Sequence, residues 1–340
     1  MSSIRKKAEV YLEYSPIIEA PPTAAPAALY AQACSNDEAT ISFWREQWVA
    51  QIKANHAIFG PFKDKSLGSI FRAHLNKPCF LLGSGPSLKK NAHLLKGDHG
   101  IPIISCLHNF HFLEDLEVNV DYYVTLDAGE TTVMEVSEGG NPETDYWAKT
   151  KDKTLLAYIG SHPNLLAKWQ GKILFFAAPV PDQTVKAALD ELEKFPIHVS
   201  SGGNVLGASL YIAKAYLGCW TTIFLGADFS FAYDESFHPW KNQIDGNLGV
   251  YVRNHDVYGN AVKTWPSYRN FKSWFEYVAQ KVPGQYINCT EGGIFGSYPE
   301  GNIRAVEQMD LKDCIARFTL TSHIENQVKN YDTNEIKILF

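Results

Sequence analysis

The sequence lacks the patterns that mark several large classes of protein. Its six cysteines form no C-x-x-C pair, which argues against a zinc site or disulfide framework and favours buried free thiols in a reducing compartment. No run approaches the ~20 apolar residues of a membrane span, and the first residues lack the apolar core of a signal peptide. Lys and Arg number 31 against 37 Asp and Glu, so no basic excess attracts nucleic acid. We therefore expect a cytoplasmic protein with no nucleic-acid partner and no membrane span.

The composition that remains is that of a globular protein. Hydrophobic residues make up 45% and charged residues 20% of 340 residues, which is enough for a large buried core. The Pro- and Ala-rich residues 1–35 are predicted to be an irregular extension. A helical segment is predicted over 36–76, with its first helix capped by Asn36 or Asp37. Residues 306–340 are predicted to form a C-terminal helix and tail.

Short apolar runs alternate with helical patterns over residues 77–305, the predicted nucleotide-binding transferase domain. The predicted strands are 78–83, 102–107, 121–127, 154–160, 172–178, 221–228 and 285–290, and the predicted helices are 86–96, 161–169, 183–195, 202–217 and 266–281. Apolar runs with few polar residues suit strands that are buried on both faces. We predict an α/β, Rossmann-like fold with a doubly wound, mostly parallel sheet and helices on both faces.

The first predicted strand runs into Gly83-Ser84-Gly85-Pro86-Ser87, which is close to a dinucleotide-binding fingerprint. Leu88 stands where G-x-G-x-x-G has its third glycine, and this argues against an NAD or FAD site. Glycines permit close backbone approach, and Pro86 can begin a helix whose free amides suit a phosphate. The loop is therefore either a phosphate cradle or a tight turn without a ligand.

Polar side chains follow other predicted strands at the same edge of the sheet. Asn109 comes after the second strand, beside His108 and His111, which lack a nearby third ligand for a metal. Asp127 and Asp228 end two further strands. A carboxylate in such a position binds Mg²⁺ or a ribose hydroxyl, or it caps the next segment.

A second Ser/Gly turn begins a helix at the same edge and offers another site for an anion, with Ser200, Ser201, Gly202, Gly203 and Asn204. His238 lies on the loop ten residues after Asp228 and is either a surface residue or a catalyst. The glycine-rich turn 289–301 either lines the cleft through Thr290 and Glu291 or is a chain reversal without a ligand.

Four ordered stretches resemble a known family. The segments "FLLGSGPSL", "DYYVTLDAG", "SSGGNVLGASLYIAKAYLGCWTTIFLGADFSF" and "INCTEGGIFG", within about residues 70–300, resemble the 6-hydroxymethylpterin diphosphokinase-like family. That family includes an archaeal pterin diphosphokinase and the bacterial motility accessory factors, glycosyltransferase-like proteins linked to nonulosonic acid transfer onto flagellin. The first and third segments also resemble bacterial sialyltransferases that use a CMP-sugar.

The resemblance implies roles for individual residues. It makes His238 and Asp228 the catalytic candidates, and it assigns nucleotide or phosphate binding to Gly83, Ser84, Gly85, Pro86, Ser87, Asn109, Asp127, Ser201, Gly202 and Gly203. One departure concerns the base: the sialyltransferases place a catalytic His shortly before the helix that follows the "GADF" strand. This chain has "GNAVKTWPSYRNF" there, and its nearest His is His255.

Three functions follow from these residues and the resemblance. The first is a glycosyltransferase that takes a sugar from a nucleotide donor of the CMP-nonulosonate type, with His238 or Asp228 deprotonating the acceptor hydroxyl. The second is diphosphoryl transfer from ATP to a hydroxymethylpterin, in which Asp127 and Asp228 would hold Mg²⁺. The third is a nucleotide- or glycan-binding module without catalysis.

The expected partners are a nucleotide-activated donor (a CMP-sugar or ATP) and a small-molecule, glycan or protein acceptor. No cofactor is predicted apart from Mg²⁺ in the second function. The sequence is compatible with an oligomer.

Overall fold

The computed structural model of the chain describes residues 27–178, 182–195, 197–232, 238–239, 252–296 and 304–321. The strands in these residues are β1 Pro78–Leu82, β2 Ile103–Cys106, β3 Tyr122–Thr125, β4 Thr154–Tyr158, β5 Lys172–Phe176, β6 Thr221–Leu225, β7 Val252–His255, β8 Ala261–Thr264, β9 Gln285–Asn288 and β10 Val306–Gln308. Eight of them form one sheet in the order β10-β9-β6-β1-β2-β3-β4-β5. Every neighbouring pair in that sheet is parallel. β7 and β8 form a separate antiparallel hairpin.

Helices connect the strands. They are α1 Ala27–Phe59, α2 Leu88–Asn91, α3 Phe110–Asp115, α4 Thr131–Glu135, α5 Tyr146–Lys149, α6 Pro163–Lys168, α7 Gln183–Asp190, α8 Val205–Tyr211, α9 Pro266–Lys281 and α10 Leu311–Thr321. α8 continues directly as a π-helical segment, Ile212–Leu217. Short 3₁₀ turns occupy Phe62–Lys65, Leu67–Ile70, Ala92–Leu95, Leu107–Asn109 and Thr150–Asp152. The predicted fold class, α/β and Rossmann-like with a mostly parallel sheet, is confirmed.

All seven predicted strands are present, each ending within three residues of its predicted end. Their side chains are buried along nearly the whole length, as in β1 and β6, because helices cover the parallel sheet. Sequence analysis missed β7, β8 and β10. β7 alternates half-buried and exposed residues and β10 has three residues, so neither contains an apolar run.

The N-terminal helix begins earlier than predicted. α1 starts at Ala27, so residues 27–35 are helical and the predicted irregular extension is wrong for them. The stretch "AALYAQA" is rich in alanine, which has the highest helix propensity, and this outweighs the N-cap signal at Asn36 and Asp37. The irregular extension predicted for residues 1–26 lies outside the described part of the chain. β10 also joins the sheet within residues that were assigned to the C-terminal helix and tail.

The order of the strands sets the position of a binding cleft. From β1 the chain winds through β2, β3, β4 and β5 to one edge, and it then returns to pair β6 with the other side of β1. β9 and β10 continue from β6 to the opposite edge. The connections therefore reverse direction between β1 and β6. In open parallel sheets a ligand binds outside the carboxyl ends of the strands at such a point.

Five cysteines of the described residues are buried free thiols, as predicted: Cys79, Cys106, Cys219, Cys289 and Cys314. Cys34 lies among residues whose side chains are not described. In the described part of the chain, no helix has the length and apolarity needed to cross a membrane.

Candidate functional site

A cleft with a cavity volume of about 190 Å³ opens at the carboxyl ends of β1, β2, β3 and β6. Its walls include the predicted loop residues Gly83, Ser84, Gly85 and Pro86, together with Asp127, Asp228 and His238. Residues from both halves of the chain thus meet between β1 and β6, at the switch point where the connections of the sheet reverse direction.

The glycines of the loop allow the ends of β1 and β6 to touch. A Cβ added to Gly83 would lie 2.5 Å from the carbonyl oxygen of Gly226, and a Cβ on Gly226 would lie 2.5 Å from that of Gly83. Gly226 also has a φ of 60°, which L-residues rarely adopt. Gly85 packs directly against the Asp228 carboxyl group. These glycines therefore have a structural purpose that does not depend on a ligand.

The Asp228 carboxylate binds the loop through Ser87. The Ser87 hydroxyl donates a hydrogen bond to Asp228 Oδ2 at 2.7 Å, and the Ser87 amide donates to Oδ1 at 3.3 Å. Both residues are buried. The Ser87 amide that the sequence offered to a phosphate is therefore bound to a carboxylate of the same chain. Gly83 to Pro86 form the part of the loop that faces the cleft, and phosphate binding by Ser87 stays a prediction.

Asn109 also positions the loop. Its side-chain amide donates to the Gly83 carbonyl oxygen at 3.0 Å and to Ser105 Oγ at 3.1 Å, and the residue is fully buried. Asn109 lies beneath the cleft and is not part of its wall. Its predicted contact with a nucleotide is untested, whereas its contact with the loop is direct.

The second Ser/Gly turn lies behind an aromatic wall. A Cβ on Gly202 would meet the Trp274 indole, and a Cβ on Gly203 would meet Phe271 at 2.8 Å. Both glycines have positive φ. Ser201 Oγ accepts a hydrogen bond from the Gly203 amide at 3.2 Å, so it closes the turn itself. The turn thus seats α9 against the sheet, and its predicted anion site is not part of the cleft wall.

Unlike the turn itself, Asn204, Tyr268 and Phe271 beside it line the cleft. Asn204 caps α8 by accepting a hydrogen bond from the Gly207 amide at 2.9 Å, and it lines the cleft. Its buried Nδ2 has no hydrogen-bond partner. Tyr268 and Phe271, near the start of α9, form the adjacent aromatic wall, with ring centroids 6.2 Å apart.

Ionisable side chains also line the cleft. The His238 ring contacts the His108 ring, with centroids 4.4 Å apart and the ring planes inclined by 55°. His108 Nε2 lies 3.9 Å from Glu135 Oε1. Asp127 is exposed along the cleft, yet the surrounding protein removes enough water from its carboxyl group to raise its pKa. Two imidazoles and several carboxylates therefore share one cavity.

Two residues near this cluster, His111 and Cys106, are not candidates for catalysis. His111, three residues after His108, points inward: it is buried, and its ring lies 6.0 Å from the Tyr146 ring. Burial and, secondarily, the charge of Asp127 raise the pKa of Cys106 to about 12, so its thiol stays protonated. Cys106 is therefore no nucleophile at neutral pH.

The turn after β9 acts as a chain reversal, one of the two alternatives for 289–301. Thr290 Oγ1 accepts a hydrogen bond from the Ala227 amide at 3.1 Å. Glu291 Oε1 accepts from the Leu311 amide at 2.9 Å and from Asn91 at 3.1 Å. Neither Thr290 nor Glu291 lines the cleft. Residues 297–303 lie outside the described part of the chain.

Binding of Mg²⁺ by Asp127 and Asp228 stays a prediction. Asp127 and Asp228 both line the cleft. Within the ranges that the structure describes, no group of three or more His, Cys, Asp or Glu residues is arranged to hold a metal ion.

Sequence analysis missed several residues of the cleft. Glu135, Tyr268 and Phe271 were not candidates, and His108 was considered only as a metal ligand beside His111. One signal was available for His108, because it follows a strand at the same edge as Asn109. No local pattern marks Tyr268 or Phe271, which reach the cleft through the packing of α9.

Comparison with known proteins supports the fold and the family. The sequence profile of the family described as 6-hydroxymethylpterin diphosphokinase MptE-like matches residues 47–234, more than half of the chain. Among solved structures, the chain is similar to the MAf glycosyltransferase from Magnetospirillum magneticum AMB-1, with a TM-score of 0.53 and 13% sequence identity. That alignment covers 94% of this chain and 50% of the other, so the chain spans about half the length of that protein. Curated protein sequences gave no match.

The matched region begins in α1 and extends past β6, and it thus contains both sides of the switch point, with the glycine loop, Asp127 and Asp228. The structural likeness independently agrees with the parallel α/β architecture. On the extent of that sequence match, the chain belongs to the 6-hydroxymethylpterin diphosphokinase MptE-like family.

Proposed function

We propose that the protein is a transferase that binds a nucleotide-activated donor in the cleft, and specifically a glycosyltransferase whose donor is of the CMP-nonulosonate type. The observation that carries the proposal is the position of the cleft. It lies at the switch point of a parallel sheet, where a glycine loop, polar groups and an aromatic wall converge. The glycosyltransferase-like solved structure with the same fold supports this choice by analogy.

The two walls of the cleft suit the two ends of a nucleotide sugar. Tyr268 and Phe271 offer aromatic faces to a planar base. Asn204 Nδ2, a buried donor without a partner at the cleft wall, suits an oxygen of the donor. In the same cleft, His238, Asp127 and Glu135 supply the ionisable groups that transfer requires.

The transfer itself needs a base for the acceptor. In the proposed step, neutral His238 takes the proton of the acceptor hydroxyl while that oxygen forms a bond to the anomeric carbon. The bond from the anomeric carbon to the phosphate oxygen breaks, and the nucleotide leaves with the electron pair. A small molecule, a glycan or a protein side chain with a free hydroxyl can serve as the acceptor.

Ligand binding tests the proposal directly. Isothermal titration of the wild-type protein with CMP, CMP-sialic acid, UDP-sugars, GDP-sugars and Mg-ATP should give binding of the CMP compounds. Phe271→Leu, which removes an aromatic face, should weaken CMP binding by about tenfold, since stacking on a base contributes ~1–3 kcal/mol. Phe43→Leu, at an aromatic residue exposed on α1, is the matched control and should bind normally.

The other results would decide against this donor. Binding of Mg-ATP without binding of CMP compounds would favour the diphosphokinase alternative and would also show whether Mg²⁺ is required. Tight binding of a CMP-sugar with neither hydrolysis nor transfer would favour a module without catalysis. No binding of any nucleotide would overturn the proposed function.

A further inference from the structure

The N-terminal cap of α8 leaves a polar group without a partner at the cleft. Asn204 Oδ1 accepts a hydrogen bond from the Gly207 amide at 2.9 Å, and this bond identifies which branch of the side-chain amide is the oxygen. The other branch, Nδ2, is therefore a donor in a fixed position. Among the described residues this buried Nδ2 finds no acceptor, although Asn204 lines the cleft. Because a buried donor without an acceptor is costly, its partner is expected to come from a molecule in the cleft.

An aromatic ring lies beside this amide. Phe271 packs on Gly203, the residue before Asn204, so closely that a Cβ on Gly203 would lie 2.8 Å from the ring. Phe271 is half-buried and lines the cleft together with Asn204. The unpaired donor and the ring are thus neighbours in the cleft wall. Proteins recognise a single base with this combination, by stacking on its face and by hydrogen bonds to its edge.

A donor at the edge of the base distinguishes the two pyrimidines. Cytosine has two adjacent acceptors, O2 and N3, on its pairing edge, whereas uracil has an N–H at position 3. The Asn204 Nδ2 group has two hydrogens and no acceptor capacity. It therefore matches cytosine, and with uracil it would place two donors against each other, which leaves both without a hydrogen bond.

We propose that Asn204 selects cytosine: Nδ2 donates to O2 and N3 of a base stacked on Phe271, while Oδ1 keeps its bond to the Gly207 amide. This inference rests on the proposed function and adds recognition of the base to it. The bond to Gly207 fixes the Asn204 side chain before a nucleotide enters the cleft. Such preorganisation lowers the ordering cost of binding.

Two substitutions separate the unpaired donor from the helix cap. Asp and Ser cap helices about as well as Asn does, so Asn204→Asp and Asn204→Ser keep an acceptor for the Gly207 amide. Asn204→Asp replaces Nδ2 by an acceptor, and Asn204→Ser removes it. Asn164→Asp, at an exposed asparagine of α6 outside the cleft wall, is the matched control.

Titration calorimetry with CMP and UMP measures the selection. The wild type and Asn164→Asp should bind CMP more tightly than UMP by about tenfold or more. The two affinities should become nearly equal in Asn204→Ser, and Asn204→Asp should favour UMP because its new oxygen accepts from uracil N3–H. The added negative charge repels the phosphate of both nucleotides alike, so the ratio of the two affinities still reports on the base.

NMR can observe the contact itself. The ¹⁵N-labelled side-chain amide of Asn204, identified by the loss of its signal in Asn204→Ser, should move to higher ¹H frequency when CMP is added. Ribose 5-phosphate, which has no base, should leave the signal in place. An equally large shift with ribose 5-phosphate would show that Nδ2 binds the phosphate and would overturn the inference.

The inference and the proposed function fail in different ways. A wild type that binds no nucleotide contradicts the proposed function. A wild type that binds CMP and UMP equally, or an Asn204→Asp variant with the wild-type ratio of affinities, contradicts the role of Asn204 while binding of a nucleotide donor stands.

Discussion

At the scale of single residues, the glycine loop is explained by contacts within the protein. Gly83 and Gly226 let two strand ends approach, Gly85 makes room for the Asp228 carboxyl, and Ser87 satisfies that carboxyl. The sequence left two alternatives for this loop, a phosphate cradle or a tight turn. The structure shows that the turn exists for packing reasons and that its outer part, Gly83 to Pro86, also forms a wall of the cleft.

Replacement of Gly85 tests the packing role. A Cβ there would overlap Asp228 Oδ2 and lie 2.7 Å from the Gly226 carbonyl oxygen. We therefore expect Gly85→Ala to lower the free energy of unfolding by about 1–3 kcal/mol in urea denaturation. At Gly292, an added Cβ would have its nearest neighbour at 3.6 Å, so Gly292→Ala is the control and should cost little. Equal stability of the two variants would contradict this role.

At the scale of elements, the helical stretch formed by α8 and the segment after it contains a buried lysine. α8 runs into a π-helical segment that buries Lys214 completely. Its ammonium group donates to the Trp220 carbonyl oxygen and lies 4.5 Å from the centre of the Tyr286 ring. Burial lowers the pKa of Lys214 to about 8, against the opposing influence of Cys79 and Cys219.

The lowered pKa predicts how stability depends on pH. Between about pH 8 and the ordinary lysine value, the unfolded chain binds a proton that the folded chain has lost, so this residue adds stability as the pH rises. Urea denaturation should show wild type gaining stability relative to Lys214→Met from pH 8 to pH 10. The exposed Lys281 at the end of α9 provides the control Lys281→Met. A constant difference between wild type and Lys214→Met would show that the pKa is not lowered.

The elements differ in how well the sequence predicts them. β1 and β6 are found because five consecutive residues of each are largely buried, and α9 is found with its predicted bounds because Pro266 begins an amphipathic pattern. α4 and α5 are missed because four or five residues make little more than one helical turn, which is too short for a periodic apolar pattern to be recognised. Short elements depend on neighbours that a local pattern does not show.

At the scale of the whole molecule, the chain order of the strands creates the site. β1 and β6 are neighbours in the sheet although about 140 residues separate Ser87 from Asp228 along the chain. The loop from one half and the carboxylate from the other are joined only when the sheet is complete. The proposed binding of a ligand at this point therefore depends on both halves.

Hydrogen exchange can test this dependence. Saturation with CMP-sialic acid should slow amide exchange in peptides covering 83–86 and in peptides covering 226–230, because both segments line the proposed site. α6, at 163–168, lies outside the cleft wall and should exchange as in the free protein. Protection of one segment without the other would place the ligand away from the switch point.

The order of residues was enough to predict the fold class, the main strands and the edge of the sheet at which polar residues lie. It could do so because buried parallel strands are apolar runs, and because glycines and carboxylates that follow them are visible in the order of residues. The tertiary structure decided which of those residues face the cleft. Asn109, Ser87 and the second Ser/Gly turn are bound to the protein itself, while His108, Glu135, Tyr268 and Phe271 reach the cavity. The reason is that a side chain's direction and its partners arise from the packing of distant elements, which no local pattern contains.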